Sequence, residues 1–323
     1  RIAIGSVPAQ RHRHVPARCT MHNPSRSKPN MVGNLRRSFR RARAWFGKPK
    51  IIYQDRLVQL DANERCEDPI FLVGVHRSGT SLLRRVINSH PNIACPAESF
   101  FLEHYVRMLE DRHVADGYRS FGNDPEMMRC DIAKKASSLH EAYRIAQDKP
   151  RWADKTPQYT KILSGLQTLF GDGCRFLMIY RHPFDTVASL IERGWDLSGD
   201  GAFNLAATLE HLGREYRNQI DFEKSNPDIC VRVKYEDLVL QPEMTLRKLM
   251  PLLGEAFSDR QLRHHEQEHG FGTEDPIARG LTGFQPSIGN WQALDASSLD
   301  QIKRGLSNIC QELGYPTEVE ANP

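Results

Sequence analysis

The residues best suited to chemistry in this 323-residue chain form two cationic segments and a separate carboxylate–ammonium set. Gly74-Val-His-Arg-Ser-Gly-Thr-Ser81 has the spacing G-x-x-x-x-G followed by Thr-Ser. Glycines there let the backbone curl so that successive N–H groups point at one anion, and the following helix adds the positive end of its dipole. A Walker loop would carry lysine where Thr80 stands, whereas here the cation is Arg77, two residues before Gly79. A plain strand–turn–helix junction is the competing reading. The second segment is Tyr180-Arg-His-Pro-Phe-Asp-Thr-Val-Ala-Ser189. Arg181 stands where an NTPase strand often ends in a magnesium-binding acid, and its planar fork suits a phosphate dianion. A surface ion pair with Asp185 is the plainer alternative for Arg181. These features predict an anionic donor held by positive charge, without a metal.

Short β-rich runs and helical segments alternate from residue 70. Ile70–Val75 and Cys174–Tyr180 read as buried strands, and Ile229–Lys234 as a third strand. Helices are expected over 80–89, 98–112, 125–148, 158–170, from Pro183, over 203–225, near 242–254 and over 296–313, with proline suited to a helical first turn. The fold class is therefore α/β: a three-layer P-loop-type fold with a central, mostly parallel sheet flanked by helices. Arg181 then leaves a strand at its C-terminal end, where ligands of open α/β sheets bind.

The chain resembles the superfamily of sulfotransferases that use 3′-phosphoadenosine 5′-phosphosulfate (PAPS), especially the branch with bacterial and tyrosylprotein sulfotransferases. The resemblance covers roughly residues 69–315. It is carried by Val75-His-Arg-Ser-Gly-Thr-Ser-Leu-Leu-Arg84 and by Tyr180–Ser189, in that order and about 100 residues apart. It implies that Arg77, Ser78, Gly79, Thr80 and Ser81 hold the 5′-phosphosulfate, and that Arg181 and Ser189 bind the 3′-phosphate. The cytosolic branch places a catalytic histidine after a Lys-Thr pair, but Lys155-Thr156 is followed here by Pro157, which can take no proton. The resemblance puts the general base at Glu98, after His90-Pro-Asn-Ile-Ala-Cys-Pro-Ala97, with Phe100, Phe101 and Leu102 expected to desolvate it partly. Lys155 matches the lysine at the bridging oxygen of the departing phosphate, so Glu98, Lys155 and Arg77 form the implied catalytic set. Tyr235 matches a tyrosine that reaches the nucleotide, and Ser287-Ile-Gly-Asn-Trp291 resembles a loop that folds over it. Relatives often carry arginine where this chain has Asn290 or Gln292; Arg263 and Arg279 are the nearby candidates to compensate. His76 is a second candidate base.

Composition bounds the remaining choices. Apolar residues make up 39% and charged residues 26%, ordinary for a globular protein. The net charge of +4 divides unevenly: residues 1–50 hold thirteen Lys/Arg and no acid, leaving −9 on the remainder. Nucleic acid is therefore not an expected partner. Residues 1–50 read as a basic, disordered arm, and 51–323 as a single sulfotransferase domain. Leu35, Phe39, Ala42 and Phe46 recur at helical spacing among arginines, which suits peripheral contact with an anionic membrane; an Arg-rich leader also resembles a transit peptide. Met21 or Met31 could be the initiator. Seven scattered cysteines without a C-x-x-C pair fit a reducing compartment, and the expected location is cytoplasmic. The partner is a hydroxyl-bearing acceptor whose class, whether glycan, phenol, tyrosine or lipid, no motif resolves. A P-loop kinase or NTPase and a non-catalytic nucleotide-binding protein are the rival readings.

Overall fold

A computed structural model describes residues 65–318 except 198, 200, 271, 273, 274 and 281. The readings made for the basic arm and its amphipathic helix lie outside the described residues.

The elements run β1 (Ile70–Val73), α1 (Thr80–Asn88), β2 (Ile93–Ala94), α2 (Leu102–Glu110), α3 (Arg112–Ser120), α4 (Pro125–Ala146) and β3 (Arg151–Lys155). They continue with α5 (Leu163–Phe170), β4 (Arg175–Tyr180), α6 (Pro183–Arg193), α7 (Leu205–Ser225), β5 (Cys230–Lys234), α8 (Tyr235–Leu240), α9 (Pro242–Leu252), α10 (Pro276–Gly280) and α11 (Ala296–Leu313). The five strands form one parallel sheet in the order β2-β3-β1-β4-β5. The α/β class and the parallel sheet expected from the sequence are both present.

Both faces of the sheet are covered, because alternate residues of a strand point to opposite sides. Phe71 and Val73 of β1, with Phe176, Met178 and Tyr180 of β4, join a core built from α4, α5, α6, α7 and α11. Ile70 and Leu72, with Leu177 and Ile179, join the opposite core with α1, α8 and α9. Ile70–Val73 and Phe176–Tyr180 are therefore apolar throughout, which is why these runs were legible.

Strands β2 and β3 and helices α3, α8 and α10 were not predicted. The nine-residue helix α3 is capped at its start by Asp111, which accepts from the His113 and Val114 amides. Strand β3 is the most consequential of these. Its sequence Arg-Trp-Ala-Asp-Lys is fully buried yet carries three ionisable residues. Each has partners from distant segments: Arg151 Nε donates to the Asp68 carbonyl at 2.6 Å, Asp154 meets His140 Nε2 at 2.7 Å, and Lys155 meets Glu98. Buried charge is tolerated when paired and hydrogen-bonded in this way.

Candidate active site

The first glycine loop leaves β1 and enters α1 under close packing. A Cβ on Gly74 would stand 2.6 Å from both the Ile179 side chain and Ser78 Oγ. Gly79 has φ +96°, and a Cβ there would stand 2.5 Å from the Tyr235 ring. Gly74 is required for space, and Gly79 for both backbone conformation and space. Ser78 is fully buried, and its hydroxyl donates to the Val75 carbonyl at 2.7 Å, so that side chain clasps the loop. Thr80 and Ser81 open α1, whose first-turn amides have no partner within the helix. Arg77 sits at φ +67°, uncommon for a non-glycine residue.

Arg77 and Ser189, assigned from sequence to opposite ends of the donor, meet directly: Arg77 Nε donates to Ser189 Oγ at 3.1 Å. The Arg77 guanidinium is also paired with Asp275, which lies 3.8 Å from Arg193 as well. Arg181 is buried beside them. It donates to the Arg77 carbonyl at 2.8 Å, to the Ser287 carbonyl at 2.6 Å and to Ser287 Oγ at 3.1 Å. Its guanidinium lies 4.9 Å from the centre of the Tyr235 ring, while Tyr235 Oη accepts from the Ser287 amide at 3.2 Å. Among the described residues Arg181 Nε, although buried, has no hydrogen-bond partner.

The alternative of an Arg181–Asp185 surface pair fails on geometry. Asp185 is fully buried and accepts from the Gly289 amide at 2.8 Å and the Trp291 amide at 3.1 Å. It thereby anchors the segment Ser287–Trp291 beside Arg181. Trp291 completes the anchor by stacking on His182, with ring centres 5.4 Å apart. Asn290 reaches Ser287 Oγ at 3.0 Å. Arg279 donates to the Gly272 carbonyl at 2.5 Å and Arg263 is exposed.

On the other side of β1, the parallel register places Lys155 opposite Leu72, at the end of β3 and next to the phosphate loop. Its ammonium contacts Glu98 Oε1 at 2.5 Å and lies 3.5 Å from Ser81 Oγ. The Lys155 side chain is 1% exposed and that of Glu98 13%. A neighbouring strand thus delivers the lysine that the loop itself lacks. Asp154 does not partner Lys155. It accepts from Thr156 Oγ1 at 2.9 Å, and Thr156 Oγ1 accepts from the Ser99 amide at 3.1 Å. With Tyr159 Oη contacting Ser99 Oγ at 2.8 Å and accepting from the Leu102 amide at 2.9 Å, this chain pins the Glu98 segment to the end of β3. Sequence reasoning left Asp154, Thr156, His140 and Tyr159 without positioning roles. The one local signal was the run Asp154–Pro157 beside the lysine.

The expected apolar cover of Glu98 is only partly realised. Phe101 packs near Tyr105 and His140 and Leu102 is buried, but Phe100 is 42% exposed, turned away by φ +60°. His76, the second candidate base, meets Trp195 edge-on at 5.4 Å and lies 6.4 Å from His211. Burial, then nearby His211, Lys155, Lys161 and Arg77, lower its pKa to about 4. It stays neutral near pH 7 and is a weak base.

Residues 69–259 match the model of a family described as the sulfotransferase family. The chain is 28% identical over 205 residues to the protein-tyrosine sulfotransferase of Drosophila melanogaster, covering 61% of this chain and 40% of that protein. It is 27% identical over 201 residues to protein-tyrosine sulfotransferase 1 of Danio rerio, covering 61% and 56%. The match therefore spans about half the length of these relatives. Among solved structures, the sulfotransferase domain of the Synechococcus PCC 7002 olefin synthase superposes with a TM-score of 0.56 at 21% identity, over 81% of this chain and 99% of that one. At that identity the likeness speaks for the fold.

Proposed function

The chain belongs to the sulfotransferase family, and from that premise we propose that it transfers a sulfuryl group from PAPS to an acceptor hydroxyl, with Glu98 as base. The observation that carries this reading is convergence at the carboxyl ends of the three central strands. Arg77, Arg181, Ser189 and the first turn of α1 gather beside β1 and β4, while the Glu98–Lys155 pair stands at the end of adjacent β3. The residues fit an anionic nucleotide: buried Arg181 keeps an Nε–H without a partner among the described residues, and Gly79 lets the Tyr235 ring pack directly against the phosphate loop.

The donor, when bound, supplies a sulfuryl group joined to phosphate through a bridging oxygen. The protein's part is positioning and charge. Glu98 takes the proton of the acceptor hydroxyl as the new O–S bond forms and the bond from sulfur to the bridging oxygen breaks. Lys155, which spans from Glu98 to Ser81 Oγ, stabilises the charge left on that oxygen. Arg77 and the α1 amides hold the 5′ end; Arg181 and Ser189 hold the 3′-phosphate, with Tyr235 beside the nucleotide.

The test is selectivity of stabilisation. The product 3′,5′-bisphosphoadenosine should raise the melting temperature by mass action on the folded state, and ATP far less, because it lacks a 3′-phosphate. Arg181→Ala should weaken bisphosphate binding by about 1.5–3 kcal/mol, the scale of a charge-assisted contact. Equal stabilisation by ATP would favour an NTPase instead.

A further inference from the structure

Beyond the donor site, one cluster of polar side chains is left unused by the chemistry above. On α7, His211 and Glu215 lie one turn apart and face Lys161, which follows β3. They line an open cavity of about 780 Å³ that Asn308 of α11 also borders. That volume is within the range of about 300–1,000 Å³ usual for small-molecule sites. His211 joins the cavity to the reaction centre, since its ring lies 6.4 Å from that of His76, the neighbour of Arg77. His76 in turn meets Trp195, whose indole is 41% exposed.

Two properties narrow what could bind. First, the charges at the rim are already paired. Arg214 contacts Glu210 at 2.6 Å, Arg217 contacts Glu312 at 2.6 Å, and Lys161 lies 4.0 Å from Glu103. Second, two of the lining residues hold buried hydrogen-bonding atoms without partners. Among the described residues, Glu215 Oε2 and His211 Nε2 are buried and have none, and Glu215 is only 6% exposed. Burial lifts the Glu215 carboxyl to about 7, against the opposing pull of Lys161 and Arg214, so that below about pH 7 it is mostly protonated and both donates and accepts. An unsatisfied buried polar group costs free energy unless a ligand satisfies it.

We propose that this cavity, with Glu215, His211 and the Trp195 face, binds a neutral carbohydrate and presents one of its hydroxyls as the sulfuryl acceptor. Sugars carry hydroxyls that pair with uncharged donor–acceptor groups, and C–H faces that pack on an aromatic ring. An acidic peptide would need cations not already paired, and a lipid tail would need apolar walls. The inference rests on the sulfuryl-transfer reading and adds the acceptor class to it.

The test supplies labelled PAPS to the full chain with lactose, cellobiose and chitobiose, and in parallel with a tyrosine peptide flanked by acidic residues and with 4-nitrophenol. At least one disaccharide should be labelled with a kcat/KM about tenfold or more above the peptide and the phenol. Glu215→Ala should raise the disaccharide KM about tenfold, the scale of one hydrogen bond lost from a buried site. Glu215→Gln, which keeps a donor and an acceptor, should restore it. Trp195→Ala, at a half-exposed position that leaves the core intact, should also raise KM, and Trp195→Phe should recover most of the loss. Bisphosphate binding should be unchanged in all four variants. Label on the peptide or phenol but on no disaccharide overturns the carbohydrate reading and leaves sulfuryl transfer standing. So does disaccharide labelling whose KM neither Ala variant moves. No label on any acceptor, together with no stabilisation by the bisphosphate, overturns both.

Discussion

Replacing Glu98 with glutamine isolates the proposed proton acceptor, because the carboxamide keeps the shape of the side chain and an oxygen facing Lys155. The structural cost can be bounded first. Lys155 is almost wholly buried, and breaking a buried ion pair outright costs about 3–5 kcal/mol. In Glu98→Gln, Lys155 would retain the carboxamide oxygen and Ser81 Oγ, and the carboxylate being lost is partly exposed. About 1–3 kcal/mol is a fair reduction for a charge-assisted contact turned neutral. For a unit of this size that lowers the melting temperature by several degrees, at about 2–4 °C per kcal/mol. The variant therefore stays folded at 25 °C, and bisphosphate binding should be nearly intact. Turnover should not be: general-base catalysis contributes about 10²–10⁴-fold, so kcat with a poorly acidic alcohol should fall by that factor. A strongly acidic phenol, largely ionised near neutral pH, needs no base and should recover most of the loss. Lys155→Ala should lose turnover with both acceptors, because departing charge must be stabilised either way. The assay is single-turnover transfer of label at saturating donor for each variant and acceptor. Near-normal turnover of Glu98→Gln with the alcohol would remove Glu98 as base and turn attention to His76.

Further predictions follow from single features. Activity should survive excess EDTA, because Arg181 occupies the place of a magnesium-binding acid; loss restored by magnesium would favour the NTPase reading. Gly79→Ala should abolish bisphosphate stabilisation, since the new Cβ meets the Tyr235 ring at 2.5 Å in a conformation with φ +96°; unchanged stabilisation would show that the loop does not hold the nucleotide. The Glu215 carboxyl titrates near 7 folded, against 4.5 unfolded. Its contribution to stability is thus present below about pH 4.5 and lost as pH rises through about 7. Glu215→Gln should therefore match the wild-type melting temperature at pH 4.5 and exceed it progressively up to pH 7, with a constant difference above. A pH-independent difference would refute the buried-carboxyl account.

Much of this protein was legible locally. Ile70–Val73 and Arg175–Tyr180 are buried on both faces or nearly so, and their apolar runs announced the parallel sheet, whereas the edge strand Cys230–Lys234 alternates, with Val231 and Val233 buried and Arg232 exposed. Pro183 marked the start of α6, where His182 Nδ1 accepts from the Phe184 amide at 3.2 Å. The glycine spacing of the first loop and the two arginines pointed to an anion, because such backbone and charge requirements are written in adjacent residues. What could not be read locally are the interactions closed over long separations. Strand β3 lacks an apolar pattern because Arg151, Asp154 and Lys155 are satisfied by Asp68, His140 and Glu98, partners 83, 14 and 57 residues away. The same holds for Ser287 on Arg181 across 106 residues and for Arg77 on Ser189 across 112. Residue types and short spacings thus determined which groups could do the chemistry. Only the parallel register of β3 on β1 and the anchoring of residues 287–291 by Asp185 decided which of those groups share one site, because a side chain's partner depends on where the sheet brings distant strands together.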